Sequence, residues 1–474
     1  MANILDTHAS SLRGAAAVAA LILLAVAALW GRRNGLLQTA ETSPTELRLA
    51  ATDRLLILAP HPDDETLACG GIIQKAVRMG LPVRVVFLTN GDNNEWSFVL
   101  YRKRPELLPG QVEAMGLVRH DEAVAATHIL GLAPDQLTFL GYPDFGTLQI
   151  WMAHWGAEPP LRSMLTRVTA VPYPNAYRPG AGYKGEEILA DLEAILKEFR
   201  PTKIFLSHPA DHNPDHLALY TFTRVALWDL GLAPELYPYL VHTPRWPEPR
   251  GLAPTQPLAP PATLAAQGRW WTSPLSREET ARKLAALEAH RTQYKAAARF
   301  LASFVRANEL FNIYPEVTLP AGGADAALAA DAETLDAQVT EQFTTEEQAA
   351  FVGVEWHTVR REGNDLVLVA TLSKPLAKGV ALSVYLFGYR PDKPFAGMPK
   401  IHVRVGELSD TVYDQTREQE DSGVQVRRDA RAIVLRVPLA LLGGPDRAFL
   451  YARTYLGDLP LDSAAWQVIY LPAQ

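Results

Sequence analysis

The sequence predicts an α/β fold, a Rossmann-like, mostly parallel sheet with helices on both faces, followed by a C-terminal all-β, sandwich-like domain. Three observations carry that expectation. From Leu55 on, short apolar runs alternate with amphipathic helical stretches, as βαβ units require. After about residue 346 the runs shorten, alternate with period two and are separated by turn signals such as Gly363-Asn364 and Gly457-Asp458. Between the two regions, residues 321–338 are Ala- and Asp-rich and hold no aromatic residue. At 474 residues the chain has room for both. The expected layout is an N-terminal segment over 1–45, an α/β domain over 50–315, a linker over 316–345 and the β domain over 346–474.

Taken in order, Leu55–Ala59 reads as a strand, and Thr66–Met79 as the helix after it, stopped by Gly80. Val83–Leu88 is a second strand, and Gln111–Leu130 a long helix closed by Gly131. Leu137–Leu140, Thr202–Ser207 and Tyr237–Val241 complete the strands, with helices over Glu186–Phe199 and Asp215–Leu230. The proline-rich stretch Pro244–Pro261 reads as a surface loop. A single helix from Ser276 to about Asn308 is expected to close the domain by packing alone. The β domain is read from Leu366–Leu372, Val380–Phe387, Lys400–Val405, Ala432–Val437, Ala448–Tyr455 and Trp466–Tyr470. Its aromatics Trp356, Tyr385, Tyr451 and Trp466 are expected in its core.

Composition excludes several partners. With 48% apolar and 20% charged residues the chain is an ordinary globular protein. A formal charge of −7, with Lys and Arg scattered, leaves no footprint for nucleic acid. The lone Cys69 forms no intrachain disulfide and is expected to be a small buried side chain. No G-x-G-x-x-G follows Leu55–Ala59, which argues against a dinucleotide. Residues 14–31 are an uncharged apolar run bounded by Arg13 and Arg32-Arg33. That run predicts a single N-terminal membrane anchor or an export signal.

Chemistry concentrates at two strand ends. Leu55–Ala59 runs into Pro60-His61-Pro62-Asp63-Asp64-Glu65, an imidazole followed by consecutive carboxylates. Buried carboxylates without partners are costly, so packing alone does not explain them. About 150 residues later, Ser207-His208-Pro209-Ala210-Asp211-His212-Asn213-Pro214-Asp215-His216 also follows a strand and precedes a helix. Both segments should therefore meet at the carboxyl edge of one sheet, where such folds bind ligands. A catalytic metal needs about three protein ligands and an open position. Together the segments can supply them.

These two segments resemble the zinc-dependent de-N-acetylases of the PIG-L/LmbE superfamily, over roughly residues 52–310. Further matches are Arg119, Glu122, Ala126 and Leu130-Gly131, and the turn Gly141-Tyr142-Pro143-Asp144. The resemblance implies one Zn²⁺ per chain held by His61, Asp64 and His216, with Asp63 as general base and Asp215 orienting a neighbouring histidine. It implies a substrate of the N-acetylglucosamine type, an N-acetylated amino sugar or glycoconjugate. Many relatives read His-Pro-Asp-His where this chain has Asn213-Pro214-Asp215-His216. The oxyanion donor then falls to Asn213, His212, His208 or His242. Asp92 and Asp144 are candidates for sugar hydroxyls, and Arg119 for a further substrate contact. The alternative is a non-catalytic glycan-binding envelope protein on the same fold.

Overall fold

The central strand is apolar at every position, so the sheet that holds it must be covered on both faces. The computed structural model describes residues 44–93, 108–329 and 343–472. After the short β1 (Thr45–Glu46) come β2 (Leu55–Ala59), α1 (Asp64–Arg78), β3 (Val83–Thr89), α2 (Pro109–Ile129) and β4 (Leu137–Tyr142). Then follow α3 (Thr147–Ala153), α4 (Gly185–Phe199), β5 (Lys203–Ser207), α5 (Pro214–Leu230) and β6 (Glu235–Tyr239). The five strands form a parallel sheet in the order β4-β3-β2-β5-β6. The chain moves outward from β2 to β3 and β4, then returns to the other side of β2 as β5. The order therefore reverses between β2 and β5, and crevices open at such reversals beyond the strands' carboxyl ends.

Period two sorts the strands' side chains onto the two faces. Leu55, Ile57 and Ala59, with Val83, Val85 and Phe87, face one core, which includes residues of α1 and α2. That core also takes β7 (Arg269–Pro274), α6 (Arg277–Ala289), α7 (Arg291–Leu301) and β8 (Asn308–Ile313). Strands β1, β7 and β8 make a small sheet of their own. Leu56, Leu58, Val86 and Leu88 face the opposite core, with α3, α4 and α5.

The remainder is β9 (Val317–Thr318), β10 (Ala326–Ala327), the short α8 (Thr345–Ala350), β11 (Val354–Glu362), β12 (Asp365–Leu372) and β13 (Val380–Tyr389). It ends with β14 (Lys400–Val405), β15 (Asp410–Asp414), β16 (Arg417–Glu418), β17 (Gln425–Asp429), β18 (Ala432–Pro438), β19 (Arg447–Leu456) and β20 (Leu459–Tyr470). Two sheets, β10-β11-β12-β18-β17 and β16-β15-β14-β13-β19-β20-β9, enclose a core that includes Leu366, Leu368, Val384, Leu386 and Leu450.

The structure departs from the sequence reading in several places. The single helix expected from Ser276 to Asn308 is broken at His290, where ψ is 62°, and ends at Leu301. The buried ring of His290 reaches Glu65, a tertiary contact that helical periodicity does not show. The last residues of that stretch start β8, which pairs antiparallel with β7. Residues 316–329, expected in a linker, run against the sandwich: β9 pairs with β20 and β10 with β11, and Leu319 and Leu328 are buried. Helix α3 and strand β7 have no counterpart in the sequence reading. The apolar run over 14–31 lies outside the described residues, and no described helix is long and apolar enough to cross a membrane.

Candidate metal centre

The loop after β2 bends sharply enough to place Asp63 at φ 126°, a conformation costly for a residue with a Cβ. Three contacts hold it there. The backbone N–H of Asp63 donates to Glu65 Oε2 at 2.9 Å. Arg119, buried in α2, donates through Nη2 to Pro62 O at 2.7 Å and through Nη1 to Gly91 O at 2.6 Å, tying the ends of β2 and β3 together. Gly91 has φ 64°, and a Cβ there would lie 2.1 Å from Arg119 Nη1, so only glycine fits.

His61 and His216 meet across the β2–β5 reversal, their ring centres 5.4 Å apart. Between them lies Asp64, whose Oδ2 is 3.2 Å from His61 Nδ1 and 3.1 Å from His216 Nε2. The far side of each ring faces carboxylates. His61 Nε2 is 3.1 Å from both Asp144 Oδ1 and Asp215 Oδ2, and His216 Nδ1 is 3.3 Å from Asp211 Oδ2. Asp215 is itself fixed by Phe145 N at 2.6 Å and by Thr147 N and Oγ1. Asp211 accepts from Asn213, Val241 and His242 N–H groups.

The donor set fits a divalent ion. Ligand atoms of His61, Asp64, His216 and His242 all lie within 4.8 Å of one another. Both ring nitrogens of His216 are buried, at ion-pair distance from carboxylates, yet neither has hydrogen-bond geometry to a partner. Nitrogen and oxygen donors backed by carboxylates on the outer ring nitrogens are how zinc-like ions are held.

The charges are strongly coupled. Burial pushes the Asp63 carboxyl up to about 7, with Asp64 adding and Arg119, 3.8 Å away, opposing. Burial works against a charged His216, but Asp211 and Asp64 outweigh it and raise it to about 9. For His61, Asp144 leads the carboxylates that overcome burial and hold the ring well above its usual range. Burial opposes a charged Asp64, yet His216 and His61 hold it well below the usual carboxylate range. His242 goes the other way, to about 4, through burial and the neighbouring His216.

The remaining residues singled out in the sequence take varied places. Asn213 Oδ1 caps α5 by accepting from Asp215 N at 2.9 Å, which commits that oxygen to the helix. His212 is exposed. His208 is spent on Asn312 and Ala210. Of the four oxyanion candidates, His242 alone belongs to the ligand cluster, its ring 4.9 Å from that of His216. Asp144 joins the His61 network, while Asp92 accepts from Tyr173 Oη at 2.5 Å and is pushed up to about 7 by burial and Asp144. Arg119 braces loops with both terminal nitrogens, and Glu122 accepts from Thr292 N and Oγ1. Sequence reasoning did not single out Asp211 for the site or find the Glu65–His290 pair, at 3.0 Å. Asp211 was within reach, because it lies five residues before His216. The His290 contact spans 225 positions and leaves no local signal.

The fold and this donor set define a candidate metal site at the carboxyl edge of a parallel sheet, and known proteins resemble the chain over this region. Residues 56–227 match the family described as PIG-L: GlcNAc-PI de-N-acetylase, the likeness that the two motifs carry. Among curated proteins, the 1D-myo-inositol 2-acetamido-2-deoxy-alpha-D-glucopyranoside deacetylase of Mycobacterium sp. (strain KMS) is 32% identical over 176 residues, 37% of this chain and 50% of that protein. A deacetylase of the same description from Saccharopolyspora erythraea is 30% identical over 185 residues, 38% of this chain and 55% of that protein. The chain thus spans about half the length of the curated relatives it matches. Among solved structures, the N,N'-diacetylchitobiose deacetylase from Pyrococcus horikoshii aligns at 19% identity and TM-score 0.34, covering 60% of this chain and 92% of that one.

Proposed function

We propose that this protein is a metal-dependent amidohydrolase that removes the N-acetyl group from an N-acetylglucosamine-type glycoconjugate, with zinc held by His61, Asp64 and His216. The observation that carries the reading is the convergence of those side chains at the β2–β5 reversal, with Asp63 adjacent and its proton affinity raised to about 7. The matched relatives, named as deacetylases of an acetamido sugar, support the substrate class.

When bound, a divalent ion there supplies Lewis acidity toward an amide carbonyl and acidifies a water molecule. Asp63 takes the proton of the attacking water and returns it to the leaving amine, a role suited to a carboxyl whose proton affinity burial raises. Asp144 and Asp215 fix the orientation of His61, and Asp211 that of His216. On this reading His242, its ring 4.9 Å from that of His216, is the donor to the oxygen that gains charge. The apolar run over 14–31 is proposed as the membrane anchor or export signal. A purely glycan-binding role finds no support in Trp356, Tyr451 and Trp466, which are buried.

The test is metal content together with acetate release from N-acetylglucosamine conjugates. His216→Ala should lose the metal. Asp63→Ala should keep it and lose acetate release by at least ~100-fold, the usual worth of a general base. Acetate release that survives metal removal by a chelator would overturn the reading.

A further inference from the structure

Beside the metal centre, a cavity of about 520 Å³ lies in the seam between the α/β sheet and the β domain. Its walls come from both. His212 follows β5, Arg245 and Arg250 follow β6, and Arg453, Asp462 and Ser463 belong to β19 and β20. Three arginines and one aspartate thus line it, and Asp462 Oδ2 accepts from Val354 N at 2.8 Å.

Arg250 is the most informative member. Its guanidinium carbon sits 4.8 Å from the centre of the Phe300 ring, so one face is covered and the hydrogen-bonding edge is left. Its Nη1 is buried and has no hydrogen-bond partner among the described residues. A buried donor left in that state is costly, the more so when charged. An anion that reaches that edge removes the cost. Guanidinium edges match phosphate and carboxylate oxygens, frequently in pairs. The volume suits a small ligand or one portion of a larger one.

The cavity also adjoins the chemistry. His212, exposed on its wall, donates its backbone N–H to His242 O at 3.0 Å, and the His242 ring packs 4.9 Å from that of His216. The cavity wall thus meets the ligand cluster at His242.

We propose that this seam is an anion-binding subsite, taking a phosphate- or carboxylate-bearing part of a ligand beside the metal centre, with Arg245, Arg250 and Arg453 as its recognition groups. The β domain then supplies part of the site through Arg453. Use of the subsite for substrate rests on the deacetylase reading, whereas its capacity to bind an anion does not.

The experiment is calorimetric titration of the full chain at low ionic strength with inorganic pyrophosphate, with citrate and with neutral N-acetylglucosamine. It is repeated in Arg245→Gln, Arg250→Gln and His216→Ala, with acetate release measured in parallel. Pyrophosphate or citrate should bind the parent, and the one that binds more tightly identifies the phosphate or the carboxylate as the source. Each arginine variant should weaken binding by at least ~10-fold, the worth of one charged hydrogen bond, while His216→Ala should leave it. Arg245 is exposed, so its variant keeps the test valid even if Arg250→Gln fails to fold. Binding unchanged in both arginine variants, binding that depends on His216 alone, or no binding of either anion overturns the proposal. Arginine-dependent binding without acetate release would instead sink the deacetylase reading and leave the subsite standing.

Discussion

The two faces of the parallel sheet are covered by different physics. On the face of Leu55, Ile57 and Ala59, partners include fully buried ionic contacts. Lys283 Nζ meets Glu309 Oε1 at 2.7 Å, and Glu309 also accepts from Gly71 and Ile72 N–H at 2.7 and 2.9 Å, fixing α1 behind the candidate metal ligands. His290 meets Glu65, which in turn holds the backbone of Asp63. On the face of Leu56 and Leu58, the cover is an aromatic cluster shared with the β domain. Trp151 lies 5.0 Å from Phe222, 5.2 Å from Phe395, 5.4 Å from Phe449 and 6.2 Å from Trp466. Directional contacts place reactive groups to a fraction of an ångström, whereas apolar packing joins large surfaces without specifying one atom. The ionic face therefore positions the chemistry, and the aromatic face holds the two regions together.

The largest expected effect comes from breaking the aromatic face. Trp151→Ala should cost about 3–5 kcal/mol, and urea unfolding, read by fluorescence and circular dichroism, should show a lowered midpoint with the two regions melting apart. A single transition of unchanged midpoint would refute the joining role. On the ionic face, Lys283→Met leaves Glu309 buried with its two N–H donors but without its cation, and should cost about 3 kcal/mol in the same assay.

His290→Gln sharpens the contrast, since it should act on the chemistry more than on stability. Loss of a residue that positions another typically lowers activity about 10–100-fold. Here kcat should fall with KM and metal content unchanged, and loss of metal instead would assign His290 to ion binding.

An effect that shows only as pH changes concerns Lys400, fully buried in the seam. Its Nζ donates to Phe395 O at 2.7 Å and Met398 O at 2.8 Å and lies 4.9 Å from the Trp155 ring. Burial pushes this lysine down to about 7, against Asp414 and Glu186, while an unfolded lysine titrates near ~10.4. Between those values the unfolded chain binds the extra proton, so stability should rise with pH from about 7 to about 10, by at most ~1.4 kcal/mol per unit. Lys400→Met should abolish that slope. Equal slopes in parent and variant would show that Lys400 stays charged in the folded protein.

Much of this was legible in the sequence. The near-continuous apolar runs of Leu55–Ala59 and Val83–Thr89 dictate burial on two faces, and the motifs at 60–65 and 207–216 place ionisable groups at strand ends that a parallel sheet brings side by side. The break at His290 was not legible, because nothing local distinguishes a helix that continues from one whose histidine is claimed by Glu65. Nor were the roles of Asp144 and Arg119, which read as substrate contacts and which the fold turns inward to His61 and to the loops at Pro62 and Gly91.

By itself, then, the sequence determined the sheet, its helices, the sandwich and the two clusters that meet. Periodicity and turn chemistry act over a few residues, and each position carries its own share of that signal. Only the tertiary structure decided which carboxylate faces which imidazole, which arginines line the seam and how the β domain seats on the sheet. Pairs such as His61–Asp215 and His290–Glu65 join residues 154 and 225 positions apart, and their energies depend on distances and burial that exist only once the chain has folded.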